Sequence, residues 1–151
     1  MGDRSFERLF KEARVGVLAC VGLDGDPIAC TVFLVADGSS LVFKSRGASA
    51  HMSALRNDPR AALSFYWHAS TYETKAGVQL KGIVDRVSDV RDITRAVDLY
   101  SDAFEGARAK FAPVEDLVKP DCESTMYRFV PTAYKVVDGT SDRLDLEYRL
   151  L

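Results

Sequence analysis

SLVFKSRGASAHMSALRNDPRAALSFYWH, Ser40 to His68, reads as strand, polar turn, helix, stop and strand. Leu41 to Ser45 is the first strand, with Leu41 and Phe43 on one face and Val42 and Lys44 on the other. Arg46, Gly47 and Ala48 make the turn. Ser49 suits a helix N-cap, because its hydroxyl accepts from a first-turn N–H that has no partner within the helix. Met52 and Leu55 then share one helical face. Pro59 ends the helix and pushes Asp58 out of the α region. Ala61 to His68 returns as a strand, alternating Leu63, Phe65 and Trp67 against Ala62, Ser64 and Tyr66.

The chemistry of this stretch lies in its turn. A strand that runs into a helix N-terminus leaves backbone N–H groups facing outward, and the helix dipole adds partial positive charge there. Ser45 and Ser49 bring hydroxyls, Lys44 and Arg46 bring charge, and His51 brings another donor. Such a group suits a phosphate; the plainer alternative is a helical connection with an ordinary serine cap.

Outward from this core the pattern is antiparallel. Arg4 to Ala13 is an amphipathic helix with Phe6, Leu9, Phe10 and Ala13 at helical spacing. Val15 to Leu23 and Ile28 to Ala36 are strands joined by Asp24-Gly25-Asp26-Pro27, a hairpin signal. Asp37-Gly38-Ser39 turns into the Leu41 strand. Ala69 to Ala76 reads as a loop and Gly77 to Ser88 as a long strand that Gly82 interrupts, as at a bulge or a close backbone approach. Gln79 on that strand is either a solvated face residue or an amide for the polar edge of a ligand. Val90 to Phe104 is helical, followed by short helical pieces at Ala107–Phe111 and Val114–Val118, expected to cap one end of a barrel. Thr125 to Val137 is a strand, with Pro131 marking an edge or bulge, and Leu144 to Leu150 a last one, with Leu144, Leu146 and Tyr148 alternating with charges. Asp24/Asp26 and Asp138/Asp142 are expected to be solvated acid pairs. Connections too short for parallel crossovers and six or seven strands indicate an α+β or β-barrel domain.

The 151 residues are enough for one domain with a real core, spanning 1–151, and 47% of them are hydrophobic. A net charge of −2 and no Lys/Arg cluster argue against a nucleic-acid partner. No apolar run approaches the roughly 20 residues of a membrane span, and the charged MGDRSFERLF start has no signal-peptide core. Cys20, Cys30 and Cys122 are scattered and odd in number, as expected for thiols in a reducing cytoplasm. Two histidines supply a zinc site poorly. GxGxxG, P-loop, GxSxG and HExxH motifs are all absent.

LVFKSRGASAHMSALRNDPRAALSFYWH resembles the middle of the pyridoxamine 5′-phosphate oxidase-like proteins, the FMN-binding split barrels. GDGDPIACTVFLVADG is similar to their first hairpin, and the Gly77 to Ser88 strand to the one carrying the family's glycine. The likeness covers Val15 to Ser88, and more weakly Tyr127-Arg128 and Asp138-Gly139. It implies a mainly β split β-barrel with flanking helices. It also implies FMN, with its phosphate at Lys44, Ser45, Arg46, Ser49 and His51, where His51 replaces the usual Lys. Thr31 would run beside the flavin ring and Gln79 near its polar edge. The resemblance further implies an oxidoreductase acting on a small molecule, as a homodimer with the flavin between subunits, where Tyr66, Trp67 and Tyr72 would line the cleft. The chain departs from the oxidases at three places. Cys30 and Val35 stand where they place an Arg and a Lys, and Arg143-Leu144-Asp145 stands for their Arg-x-His. This argues against oxidation of pyridoxamine phosphate itself. The alternatives on the same barrel are a haem binder, with His51 or His68 as axial ligand, an F420 protein, and an interaction module without a cofactor.

Overall fold

The computed structural model describes residues 2–67 and 69–151. Helix α1 (Arg4–Lys11) leads into strands β1 (Val15–Val21), β2 (Pro27–Asp37) and β3 (Ser40–Arg46). Helix α2 (Ala50–Asn57), β4 (Arg60–Trp67), β5 (Ala76–Arg86) and α3 (Val90–Ala103) follow. The chain ends with α4 (Val114–Leu117), β6 (Ser124–Asp138), β7 (Arg143–Leu144) and β8 (Arg149–Leu150). His68, read as a strand end and a candidate haem ligand, lies outside the described residues.

Six strands run in the order β3-β2-β1-β4-β5-β6, and β3 pairs back onto β6, closing an antiparallel barrel. The fold is mainly β with flanking helices. Inward-facing alternation fills the barrel: Leu18, Val32, Leu34, Leu41, Phe43, Leu63, Phe65, Leu80 and Phe129 belong to one buried cluster. Met52, Ala54 and Leu55 of α2 and Phe6, Leu9 and Phe10 of α1 enter the same cluster. At Lys81/Gly82 the β5–β6 register shifts by one residue, the bulge expected from Gly82 and Pro131.

Helix α3 does not cap a barrel end. It lies mainly along β2, with further contacts to β3 and β6, and its Ile93, Ala96, Val97 and Tyr100 build a second cluster with Val35, Val42, Leu117 and Met126. Strand β3 is therefore covered on both faces: Leu41 and Phe43 inside the barrel, Val42 beneath α3.

The C-terminal stretch differs from the expected strand in a way that its charges explain. Leu144 and Leu146 are exposed while Asp145 is buried, the reverse of the hydrophobic pattern. The Asp145 carboxylate accepts from the Val136 N–H at 3.0 Å and from Arg143 at 2.7 Å and Arg149 at 3.1 Å. That inward turn splits the segment into β7 and β8, each of two residues. Asp138 is likewise buried, holding Arg8 at 3.0 Å and the Thr140 hydroxyl at 2.6 Å, and so is not a solvated acid.

Arg143 joins the two ends of the chain, donating at 2.6 Å to Asp3, the N-cap of α1, as well as to Asp145. Its hydrogen bonds hold both carboxyls well below the usual carboxylate range, and the carboxylates in turn raise Arg143. A carboxylate depressed in the folded state stabilises the fold above its unfolded pKa, near 3.9, and that contribution is lost as pH falls towards the folded value. Arg143→Ala is expected to cost about 2 kcal/mol near neutral pH. In thermal melts against pH, the wild-type melting temperature should drop below roughly pH 4, and that of the variant less steeply.

Candidate functional site

Ser49 caps α2 as its position predicts, its hydroxyl accepting from the Met52 N–H at 3.4 Å. His51, one residue into the helix, turns its ring back over the turn. Its Nε2 lies 2.8 Å from the Ser45 hydroxyl and 3.2 Å from the Ser49 hydroxyl. Three of the predicted residues thus converge on one half-buried point at the start of α2. Because Ser49 Oγ already accepts from the helix, its own proton is available for donation.

Backbone donors at the turn are divided. The Gly47 N–H is held by the Glu123 carbonyl at 3.0 Å and the Ser49 N–H by the Arg46 carbonyl at 3.1 Å. The opening amides of α2, Ala50 and His51, have no intrahelical acceptor and add their dipoles to the same point. Burial lowers the pKa of His51 below its ordinary value near 6.5, so the imidazole is neutral at pH 7. The arrangement presents hydroxyls, helix-start amides and a neutral imidazole, a donor set suited to phosphate oxygens.

The two cations of the turn point elsewhere. Lys44 lies on the other face of β3, donating to the Lys110 carbonyl at 2.7 Å and standing 5.0 Å from the centre of the Phe111 ring. Arg46 is exposed, 3.9 Å from Glu123. A signal for Lys44 was present in the sequence: strand alternation places it with Val42, not with Ser45. A residue not picked out from the sequence, Arg56, braces the turn from behind. It donates to the Gly47 carbonyl at 2.5 Å and to the Ser53 hydroxyl at 3.1 Å.

Thr31 and Gln79 stand on the outer face of the sheet. The registers Thr31↔Val17, Val17↔Ser64, Ser64↔Gln79 and Gln79↔Lys135 set them in one row across five strands. Around that row Val15, Val17, Phe33 and Tyr66 are exposed, an apolar patch next to α3, which covers the same face further along β2 at Val35 and whose C-cap Phe104 packs edge-on against Phe33 at 5.8 Å. Trp67 packs edge-on against buried Phe65, with ring centres 5.6 Å apart, and is half-buried, whereas Tyr66 and Tyr72 are exposed. The departures read in the sequence are all turned inward or engaged. Cys30 is half-buried, its thiol directed at the Leu18 carbonyl at 3.6 Å. Val35 is buried beneath α3, and Arg143 is held between two carboxylates.

Among the described residues, no group of three or more His, Cys, Asp or Glu side chains is placed to hold a metal. None of the helices there is long and apolar enough to cross a membrane.

A pyridoxamine 5′-phosphate oxidase family model matches residues 3–119. The chain belongs to this family. A pyridoxine/pyridoxamine 5′-phosphate oxidase from Cupriavidus taiwanensis is 26% identical over 166 residues, covering 98% of this chain and 78% of that protein. Among solved structures, a haem-binding protein from Mycobacterium smegmatis superposes with a TM-score of 0.78 at 21% identity. It covers 99% of this chain, which spans only 59% of that longer one. An FAD-binding protein from Mesorhizobium loti gives a TM-score of 0.67 at 16% identity, covering 89% of this chain and 92% of that one. At such identities the two structures share the split-barrel fold with this family member and nothing finer.

Proposed function

We propose that this family member binds FMN, with the phosphate on the turn of Ser45, Ser49 and His51, and serves as a flavin-dependent oxidoreductase of a small molecule. The observation that carries the reading is the convergence of two hydroxyls and one imidazole nitrogen at the start of α2. The family match and the curated relative support it. A bound flavin would supply the electron-transfer chemistry. The chain's own residues would hold the phosphate, and Thr31 and Gln79 would offer a hydroxyl and an amide along the outer face. Lys44 and Arg46 would contribute only at longer range, since both face away from the hydroxyls.

A second copy of the chain is proposed to cover the apolar outer face around Val17, Phe33 and Tyr66, an exposure of the kind that marks an interface, and to enclose the flavin ring. Oxidation of pyridoxamine phosphate itself is disfavoured. Arg143 is occupied by Asp3 and Asp145, and Cys30 and Val35 offer no cation, so a phosphorylated substrate would lack its usual charge-assisted partners.

The test is the visible spectrum of the purified protein, followed by FMN titration of colourless material. Flavin bands, or saturable FMN quenching with one flavin per chain, are the expected result. A haem Soret band, F420 binding in preference to FMN, or a colourless protein indifferent to FMN would overturn it.

A further inference from the structure

Beside the Ser45–Ser49 turn, and bordered by its Gly47, lies a cleft of about 400 Å³ between α2, the end of β5 and the segment entering β6. Met52, Leu55, Pro59 and Val84 line it with apolar surface, and Gly47, Arg56 and Tyr127 supply its polar wall. Tyr127 is only 7% exposed, and no described residue makes a hydrogen bond to its hydroxyl. That hydroxyl lies 3.3 Å from where a Cβ on Gly47 would stand. The ring is buried but the hydroxyl is not sealed from solvent, so it is free to donate to whatever occupies the cleft. Arg56 spends one N–H on the Gly47 carbonyl and one on Ser53, and the rest of its guanidinium remains for an acceptor. Arg86, also at the wall, gives its two terminal nitrogens to the Leu117, Lys119 and Pro120 carbonyls, while its Nε–H is buried without a partner. The exposed carboxylate of Asp85 stands at the rim.

We propose that this cleft is a second small-molecule site, separate from the flavin turn, for a monocarboxylate with a compact apolar body. The body would lie on Met52, Leu55 and Val84, and the carboxylate would accept from the Tyr127 hydroxyl and the Arg56 guanidinium. Asp85 sets the charge limit, because a second negative charge on the ligand would face it. The volume is at the small end of ligand cavities, which suits a single ring. The site shares Gly47 and Arg56 with the turn, so occupancy is transmitted directly to the loop that carries Ser45 and Ser49.

Benzoate is the probe, titrated into the full chain with and without added FMN and followed by amide and arginine side-chain NMR. Saturable shifts at Gly47, Arg56 and Tyr127, with half-saturation at or below about 1 mM, are expected for a ligand of about ten non-hydrogen atoms. Benzamide and inorganic phosphate should each bind about tenfold more weakly, as should benzoate to Arg56→Gln or Tyr127→Phe, each of which removes a hydrogen bond to a charged group. Tyr127→Phe keeps the ring stacked on Phe43, 5.9 Å away, so folding is preserved. Lack of saturation, unchanged affinity in both variants, or shifts centred on Thr31 and Gln79 would overturn the proposal. None of these outcomes depends on whether FMN binds.

Discussion

Gly82→Val is expected to destabilise the barrel by about 3 kcal/mol, a large share of a domain's usual margin. Gly82 is buried at the register shift between β5 and β6. A Cβ there would collide with the Val130 carbonyl oxygen and stand 2.7 Å from Phe129 Cζ. Neither obstacle moves cheaply. Val130 is in the paired strand, and Phe129 is fully buried among the barrel's largest side chains. The Phe129 ring cannot retreat without opening a void or displacing its neighbours. Gly77→Ala on the same strand is the control. Its Cβ would meet the Phe65 carbonyl at 3.1 Å, so a shift of a few tenths of an ångström accommodates it. Urea melts read both, and a Gly82→Val midpoint within error of that of Gly77→Ala would refute the account.

The consequence for function follows from topology. Strand β6 pairs with β5 on one side and with β3 on the other, where Ser45 faces Thr125 and Arg46 faces Ser124. A disturbance at Gly82 therefore reaches the strand that holds the Ser45–Ser49 turn. Bulge and turn are parts of one closed ladder.

Much of this was legible in residues 40–68, because period-two alternation survives wherever one strand face is buried and the other solvated. Leu63 and Phe65 went inside and Ser64 and Tyr66 outside as read. Reading failed where long-range contacts invert the local rule. The wall behind the turn joins Arg56 to Tyr127 and could not be inferred from either segment alone. Asp145 is buried and Leu144 exposed because Arg143 and Arg149 converge on the carboxylate, a pairing that hydrophobic periodicity does not register. Helix α3 was legible as a helix, but its docking site was not. Its apolar stripe says that a face is covered, not which one, and the sheet offered both an end and a side.

In the candidate site the serines and the histidine were legible because N-cap chemistry is local: Ser49 must face the first turn of α2, and His51 lies within reach of it. The two cations were read only by their nearness in sequence. Sequence proximity placed Lys44 and Arg46 at the turn, whereas the strand pleat sends both away from Ser45.

The electrostatics of that turn set the second large effect. Replacing Ser45 and His51 together by Ala, with the Ser49 cap kept intact, is expected to weaken FMN binding about 100-fold, the loss of two hydrogen bonds to a charged phosphate. Ser49 is left alone because its removal would also cost about 1 kcal/mol of helix capping. His51→Lys should have the opposite effect, tightening FMN about tenfold, since a permanent cation replaces a neutral ring. Wild-type binding carries a pH signature that the lysine variant lacks. Burial holds the free His51 low, and a phosphate beside it would raise its pKa, so binding takes up a proton. Affinity is then greatest below the free-state pKa and falls as pH rises through the bound-state value. The phosphate's own second ionisation near pH 6 affects both proteins alike, so the ratio of wild-type to His51→Lys affinity isolates the histidine. Fluorescence titrations between pH 5 and 8 should show that ratio decline with pH. A flat ratio would mean that His51 does not touch the phosphate.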